Sequence, residues 1–223
     1  MRKPLLQLAL DTFDLPSALA PLQQAAPHID IIEVGTILCL SEGMGAVRVI
    51  RSLFPDKTIL ADVRIAEAGG IIAKMAFEAG ADWVSVVSGA APSTAEVVYD
   101  VAQQQGGDVQ IELSDGWTWQ QAARWREIGI DQAIIHRSRD AEAQGELAWG
   151  RADLDNIRRL ADMGYRVTVA GSVGVNDVST FAGIPVYIFI SGRAIRNAAN
   201  PAGAAASFQR AICSAFAAPA QNS

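Results

Sequence analysis

Lysine is scarce in this 223-residue chain: of 18 basic residues only Lys3, Lys57 and Lys74 are lysines. Nearly every positive charge is therefore an arginine, which grips planar anions well but does not readily release a proton. Bases are also outnumbered, 24 acids standing against them for a formal net charge of -6. That balance argues against a nucleic-acid partner, which calls for a basic field over its phosphates, but leaves room for a local anion site. Cysteine is limited to Cys39 and Cys213, with no CxxC spacing, so neither a disulfide framework nor a zinc or iron-sulfur site is encoded, and a reducing compartment is expected. Long hydrophobic runs are missing too. The apolar start LLQLAL is cut by Asp11, and no segment approaches the roughly 18 apolar residues that span a bilayer. The expectation is a soluble, cytoplasmic protein with no membrane partner. No GxGxxG follows the first strand, which runs instead into Asp11-Thr-Phe-Asp, poor material for a dinucleotide turn.

What is present is a large apolar share, 50% of residues, arranged in a recurring unit. A short β-rich run ends in a polar or glycine residue, and an alanine-rich segment of helical length follows. The strands are predicted at 5–11, 29–35, 58–64, 83–89, 108–113, 132–137, 165–171 and 186–192. Helices are predicted at 15–26, 42–53, 66–79, 92–105, 118–128, 151–163, 175–182 and 202–217, with Pro92 and Pro201 near the start of a first turn. In 66–79 the apolar side is read as Ile71, Ile72, Met75 and Phe77, with Glu67, Lys74 and Glu78 on other faces. Eight strand-helix units and little else predict an α/β fold, a (β/α)8 TIM barrel occupying 1–223 as a single domain, in preference to an open doubly wound sheet. The five tryptophans lack interleaved basic residues and are assigned to packing rather than base stacking.

In such a barrel the active site gathers at the C-terminal ends of the strands. Polar residues stand at those ends: Asp11, Glu33, Asp62 with Arg64, Glu112, and His136 followed by Arg137-Ser-Arg139. Asp62 and Arg64 share a strand face by the two-residue period. Glu33 and Asp62 are candidate oxygen ligands for magnesium, with structural pairing to Arg64 as the alternative. His136, with its ring pKa near neutrality, is a candidate proton shuttle. After strands seven and eight, Ala170-Gly171-Ser172 and Gly192-Arg193 supply glycine amides and a guanidinium suited to a phosphate dianion. A phosphorylated small molecule is the expected partner.

Several long strings carry a family likeness: DIIEVGTILCLSEG at 30–43, DVQIELSDGWTWQQA at 108–122, HRSRDAEAQG at 136–145 and FISGRAIRNAANP at 189–201. With PLLQLALD at 4–11 and WGRADL at 149–154, they make the chain resemble the 3-keto-L-gulonate-6-phosphate decarboxylases of the orotidine-5'-phosphate decarboxylase suprafamily. The 3-hexulose-6-phosphate synthases are near relatives. The resemblance implies a homodimer of barrels and decarboxylation of a 3-keto sugar acid phosphate through an enediolate. Asp11 would contact substrate hydroxyls, and Glu33 and Asp62 would hold Mg2+. Glu112, His136 and Arg139 would place substrate and proton, His136 chiefly as acid. The amides around Gly171 and Gly192, with Arg193, would grip the 6-phosphate.

The chain departs from the family pattern at two places. Asp-x-Lys-x-x-Asp at the end of strand three reads here Asp62-Val-Arg64-Ile-Ala-Glu67, so arginine replaces the lysine beside the enediolate. Glu67 replaces the aspartate that reaches the neighbouring subunit's site. After strand seven, Thr-Gly-Gly becomes Ala170-Gly171-Ser172, removing a hydroxyl from the substrate wall. Three readings stay open: the family decarboxylation, related enediolate chemistry on another sugar phosphate by an aldolase or isomerase, and a non-catalytic phosphosugar-binding protein.

Overall fold

The computed structural model describes residues 2–137 and 149–217. Eight strands close into a barrel in sequence order: β1 (Leu5–Leu10), β2 (Ile31–Val34), β3 (Thr58–Ile65), β4 (Trp83–Val87), β5 (Asp108–Leu113), β6 (Gln132–His136), β7 (Arg166–Ala170) and β8 (Val186–Ser191). Every neighbouring pair is parallel, and β8 pairs back onto β1. The expected (β/α)8 architecture is therefore the observed one.

A barrel strand has two buried faces, and here they differ in character. One face of β1 carries Leu6, Leu8 and Leu10, all fully buried beneath the helices. Each such leucine contributes roughly 1.5–3 kcal/mol by leaving water. The other face points into the barrel and mixes apolar residues such as Ala9, Ile134 and Ile188 with fully buried Gln7, Ser85, Gln110, Gln132 and Thr168. Near the N-terminal end these polar groups are chained. Gln110 Nε2 donates to Gln132 Oε1 at 2.9 Å, Gln132 Nε2 to Asp108 Oδ2 at 2.7 Å, and Arg166 Nη2 to the same Asp108 oxygen at 2.6 Å. Arg166 also bonds Asp131. Charge at this end of the barrel is thus paired within the fold.

Among the described residues the helices are α1 (Leu15–Ala25), α2 (Thr36–Glu42), α3 (Met44–Leu53), α4 (Gly69–Glu78), α5 (Pro92–Gln105), α6 (Trp119–Ile128), α7 (Arg151–Asp162), α8 (Arg193–Arg196) and α9 (Pro201–Ala215). Pro92 and Pro201 open their helices as expected. Asp14 caps α1 by accepting from the Ser17 amide at 2.7 Å, and Thr118 caps α6 in a reciprocal capping box with Gln121.

Three expectations are corrected. The helix expected at 42–53 is preceded by α2, which starts directly after β2, and Gly43 at φ 61 breaks the two apart. The helix expected at 175–182 is a 3-10 helix over Val175–Phe181. In α4 the buried residues are Gly69, Ala73, Ala76 and Phe77, while Ile71 and Met75 are 69% and 52% exposed. Close packing on α5 causes this: a Cβ at Gly69 would stand 2.8 Å from Val98 Cγ2, so the small residues face inward. The tryptophans pack as expected, Trp125 and Trp149 buried and Trp117 edge-on to Trp119.

Candidate active site

At the C-terminal mouth of the barrel lies a cavity of about 880 Å³. The two-residue period of the strands places the inward-facing Glu33, Asp62, Glu112 and His136 on its walls, one from each of β2, β3, β5 and β6. Asp11 lines it from the end of β1. Ala170, the last residue of β7, and Gly171 after it close one side, and Gly192 with Arg193 follow β8. Ten of the residues singled out in the sequence, Arg64 included, therefore meet in one space. Glu67 does not: it is exposed on the turn between β3 and α4, outside this cavity. The chain leaves the barrel there, and Ala68 at φ 53 turns it into α4, so the longer acid is carried away from its own mouth. Arg139 lies outside the described residues.

Arg64 reaches the mouth through an irregularity. β3 pairs with β4 at Ala61↔Val84 and again at Ile65↔Val86, so residues 62–64 face a single β4 residue. Within this bulge Arg64 adopts φ 46, a left-handed conformation that costs a non-glycine residue about 1 kcal/mol or more. Its Nη2 lies 2.8 Å from Glu112 Oε1 and its Nε 3.6 Å from Asp62 Oδ2. His136 Nδ1 approaches the same Glu112 oxygen at 3.2 Å. Glu112 thus joins the two candidate proton and charge donors.

The carboxylates crowd one another. Burial raises the pKa of Glu33 well above the ordinary range, with the charges of Asp62 and Asp11 adding to the effect and a hydrogen bond from Gln7 opposing it. Burial pushes Glu112 up to about 7, aided by Asp62 and restrained by Arg64. Burial works against the positive charge of Arg64, but Asp62 and Glu112 outweigh it and hold the guanidinium more firmly protonated. Cys39, behind this cluster, is pushed up to about 12 chiefly by burial and is inert as a thiol.

Hydrogen bonds fix the acids from behind. Gln7 Nε2 donates to Glu33 Oε2 at 2.6 Å. Thr36 Oγ1 donates to Asp62 Oδ2 at 2.7 Å and Ser85 Oγ to Asp62 Oδ1 at 2.6 Å. This donor set suits a hard cation, which would favour ionisation of both: two buried carboxyl groups, each oriented by neutral donors. No group of three or more acidic, histidine or cysteine side chains able to hold a metal occurs among the described residues. Two carboxylates still satisfy magnesium when waters and substrate oxygens complete the shell.

Across the mouth, Arg193 Nη2 donates to Ser172 Oγ, linking the loops after β7 and β8. Gly171 sits at φ 95, and a Cβ there would stand 2.7 Å from the Arg137 backbone nitrogen. Only glycine fits so close to the β6 loop. The sequence alone does not single out Gln7, Thr36 or Ser85, and it names Ser172 only as part of the Ala170-Gly171-Ser172 turn. For Gln7 and Ser85 a signal existed, a lone polar residue on the inward face of an apolar run.

The model of the orotidine 5'-phosphate decarboxylase / HUMPS family matches residues 4–208. A 3-keto-L-gulonate-6-phosphate decarboxylase of Escherichia coli is 52% identical over 212 residues, covering 95% of this chain and 98% of its own. Among solved structures, a KGPDC from Streptococcus mutans superposes with a TM-score of 0.94 at 40% identity, over 96% of this chain and 100% of that one. A 3-hexulose-6-phosphate synthase from Salmonella typhimurium gives a TM-score of 0.88 at 30% identity, over 95% and 100%. With a family match along most of its length, a half-identical relative and the mouth geometry described, this chain belongs to the orotidine 5'-phosphate decarboxylase / HUMPS family.

Proposed function

We propose that this protein is a carboxy-lyase that decarboxylates 3-keto-L-gulonate 6-phosphate to L-xylulose 5-phosphate. The observation that carries the reading is the meeting of Arg64 and His136 on Glu112 in the same cavity as Glu33 and Asp62, in a chain 52% identical to a decarboxylase of that substrate. The bond from the carboxylate carbon to its neighbour breaks, carbon dioxide leaves, and the electron pair passes to the 3-keto group as an enediolate. Arg64 offers fixed positive charge to the developing oxyanion but no proton, because arginine stays protonated. His136, oriented by Glu112 at Nδ1, delivers the proton to the former C2 carbon. Asp11 orients the substrate hydroxyls, and Arg193 with the amides about Gly171 and Gly192 binds the phosphate. Glu33 and Asp62 are the residues that would hold magnesium, which supplies charge to substrate oxygens when bound.

The active unit in this proposal is a homodimer, in which exposed Glu67 approaches the partner's site. Exposed Phe13, Leu40, Ile71 and Met75 supply apolar surface for association. No helix among the described residues is long and apolar enough to cross a membrane.

A second reading, enediolate chemistry on another sugar phosphate, draws on the Arg64 guanidinium and on Ala170, which presents no hydroxyl to the cavity. The test is a screen of sugar phosphates with and without Mg2+, reading both carbon dioxide and formaldehyde. Carbon dioxide from 3-keto-L-gulonate 6-phosphate, lost on chelation, is the expected result. Formaldehyde chemistry with no carbon dioxide favours the second reading, and full turnover after exhaustive chelation contradicts the metal assignment.

A further inference from the structure

We infer that Ser85, a fully buried residue in the middle of β4, is the positioning residue for both Asp62 and Arg64. Its hydroxyl accepts from the Arg64 backbone N–H at 2.9 Å and donates to Asp62 Oδ1 at 2.6 Å. Ser85 is also the single β4 residue facing the three bulged residues 62–64, between the pairings Ala61↔Val84 and Ile65↔Val86. A bulge leaves backbone groups without ladder partners. Here a side-chain oxygen replaces the missing carbonyl, so the Arg64 N–H is satisfied without returning that residue to the sheet.

The two bonds reinforce one another. A hydroxyl has one proton to give and lone pairs to receive. Accepting from Arg64 and giving to Asp62 fixes the rotor in one orientation. Asp62 Oδ2 is held separately by Thr36, so Ser85 governs the other oxygen and, through the backbone, the φ 46 conformation that aims Arg64 at Glu112. Neither alanine nor valine at this position could do both.

This inference deepens the proposed decarboxylase reading, and its test includes a measurement independent of substrate. Amide hydrogen exchange at Arg64 is followed by NMR in the unmodified protein and in Ser85→Ala, together with Mg2+ affinity by calorimetry and kcat and KM on 3-keto-L-gulonate 6-phosphate. Expected in Ser85→Ala are faster exchange at Arg64, Mg2+ affinity and kcat/KM each lowered about 10- to 100-fold, with kcat carrying most of the kinetic loss. In an Arg64→Ala background, the additional loss in kcat/KM from Ser85→Ala should be smaller, because one of its two roles has been removed. Ser85→Cys, similar in shape with a weaker donor and acceptor, should fall between serine and alanine, and it carries the same test if the alanine variant does not fold. An Arg64 amide as protected in the variant as in the parent, with kcat/KM within twofold, overturns the inference. If the unmodified protein does not act on this substrate, the functional reading fails, and the Arg64 amide alone decides on Ser85.

Discussion

Gly35 makes the space that the Asp11 carboxylate occupies: a Cβ added at Gly35 would collide with Asp11 Oδ1 and stand 2.8 Å from Asp11 Cγ. The backbone at Gly35, φ -64 and ψ 159, is open to any residue, so the requirement is for room and not for conformation. Gly35→Ala should therefore fold normally and displace Asp11 from the cavity wall. Steady-state kinetics should show kcat/KM reduced at least tenfold with the melting temperature shifted by only a few degrees. Unchanged kinetics would remove Asp11 from the substrate contacts.

Glu112 ties activity and stability to pH in opposite senses. Its pKa is held at about 7, against an ordinary 4.5. Between those values the folded protein keeps a proton that the unfolded chain has released, so the contribution of this group to stability falls as pH rises from about 4.5 to about 7. The shift corresponds to at most roughly 3 kcal/mol. Ionised Glu112 is also the form that pairs with Arg64, so kcat/KM should decline below about pH 7. Denaturation and kinetics across the range from about pH 4.5 to about pH 8.5 check both, and Glu112→Gln should lessen the stability slope there, leaving the share that Glu33, raised in the same direction, contributes.

Arg193 stands at the edge of the cavity and touches Ser172 across it, apart from the Glu112 cluster. Arg193→Ala should raise KM more than it lowers kcat, since a phosphate contact binds ground and transition states alike. Calorimetry with a phosphorylated product analogue should show at least tenfold weaker binding. Equal affinity in both proteins would place the phosphate elsewhere.

Phe181, fully buried, packs edge-on against Trp149 at 5.0 Å and Phe189 at 5.4 Å. Phe181→Ala should cost about 3–5 kcal/mol through lost contacts and the cavity left behind. Chemical denaturation should register that loss as a lower midpoint with the slope unchanged.

The barrel is legible in the sequence because its strands are buried on both faces and read as apolar runs at regular spacing. Asp62, Glu112 and His136 stand out because an ionisable group closing such a run has few structural uses. Ser85 and Gln7 do not, since one neutral polar residue inside a strand looks like a lapse in the pattern. Only the closed sheet turns every second residue toward a common interior and gives them acids to hold. Thr36 is hidden by α2, whose sequence TILCLSE carries no capping side chain ahead of it. The α4 face misleads because hydropathy ranks isoleucine above alanine, whereas closeness to α5 selects for small size.

The β3 irregularity also has a parity. Three residues opposite one means that two have been added, and because strand side chains alternate, an even addition returns the chain to the sheet in phase. Ile65 accordingly rejoins the outward, helix-facing core to which Ile59 and Ala61 belong. Loss of one residue from 62–64 would turn Ile65 into the barrel and its neighbours out, whereas side-chain exchange at Asp62 or Arg64, which line the mouth, does not alter that phase. An arginine can therefore replace a lysine at position 64 with its effect confined to the chemistry of the mouth, and the barrel itself registers no change.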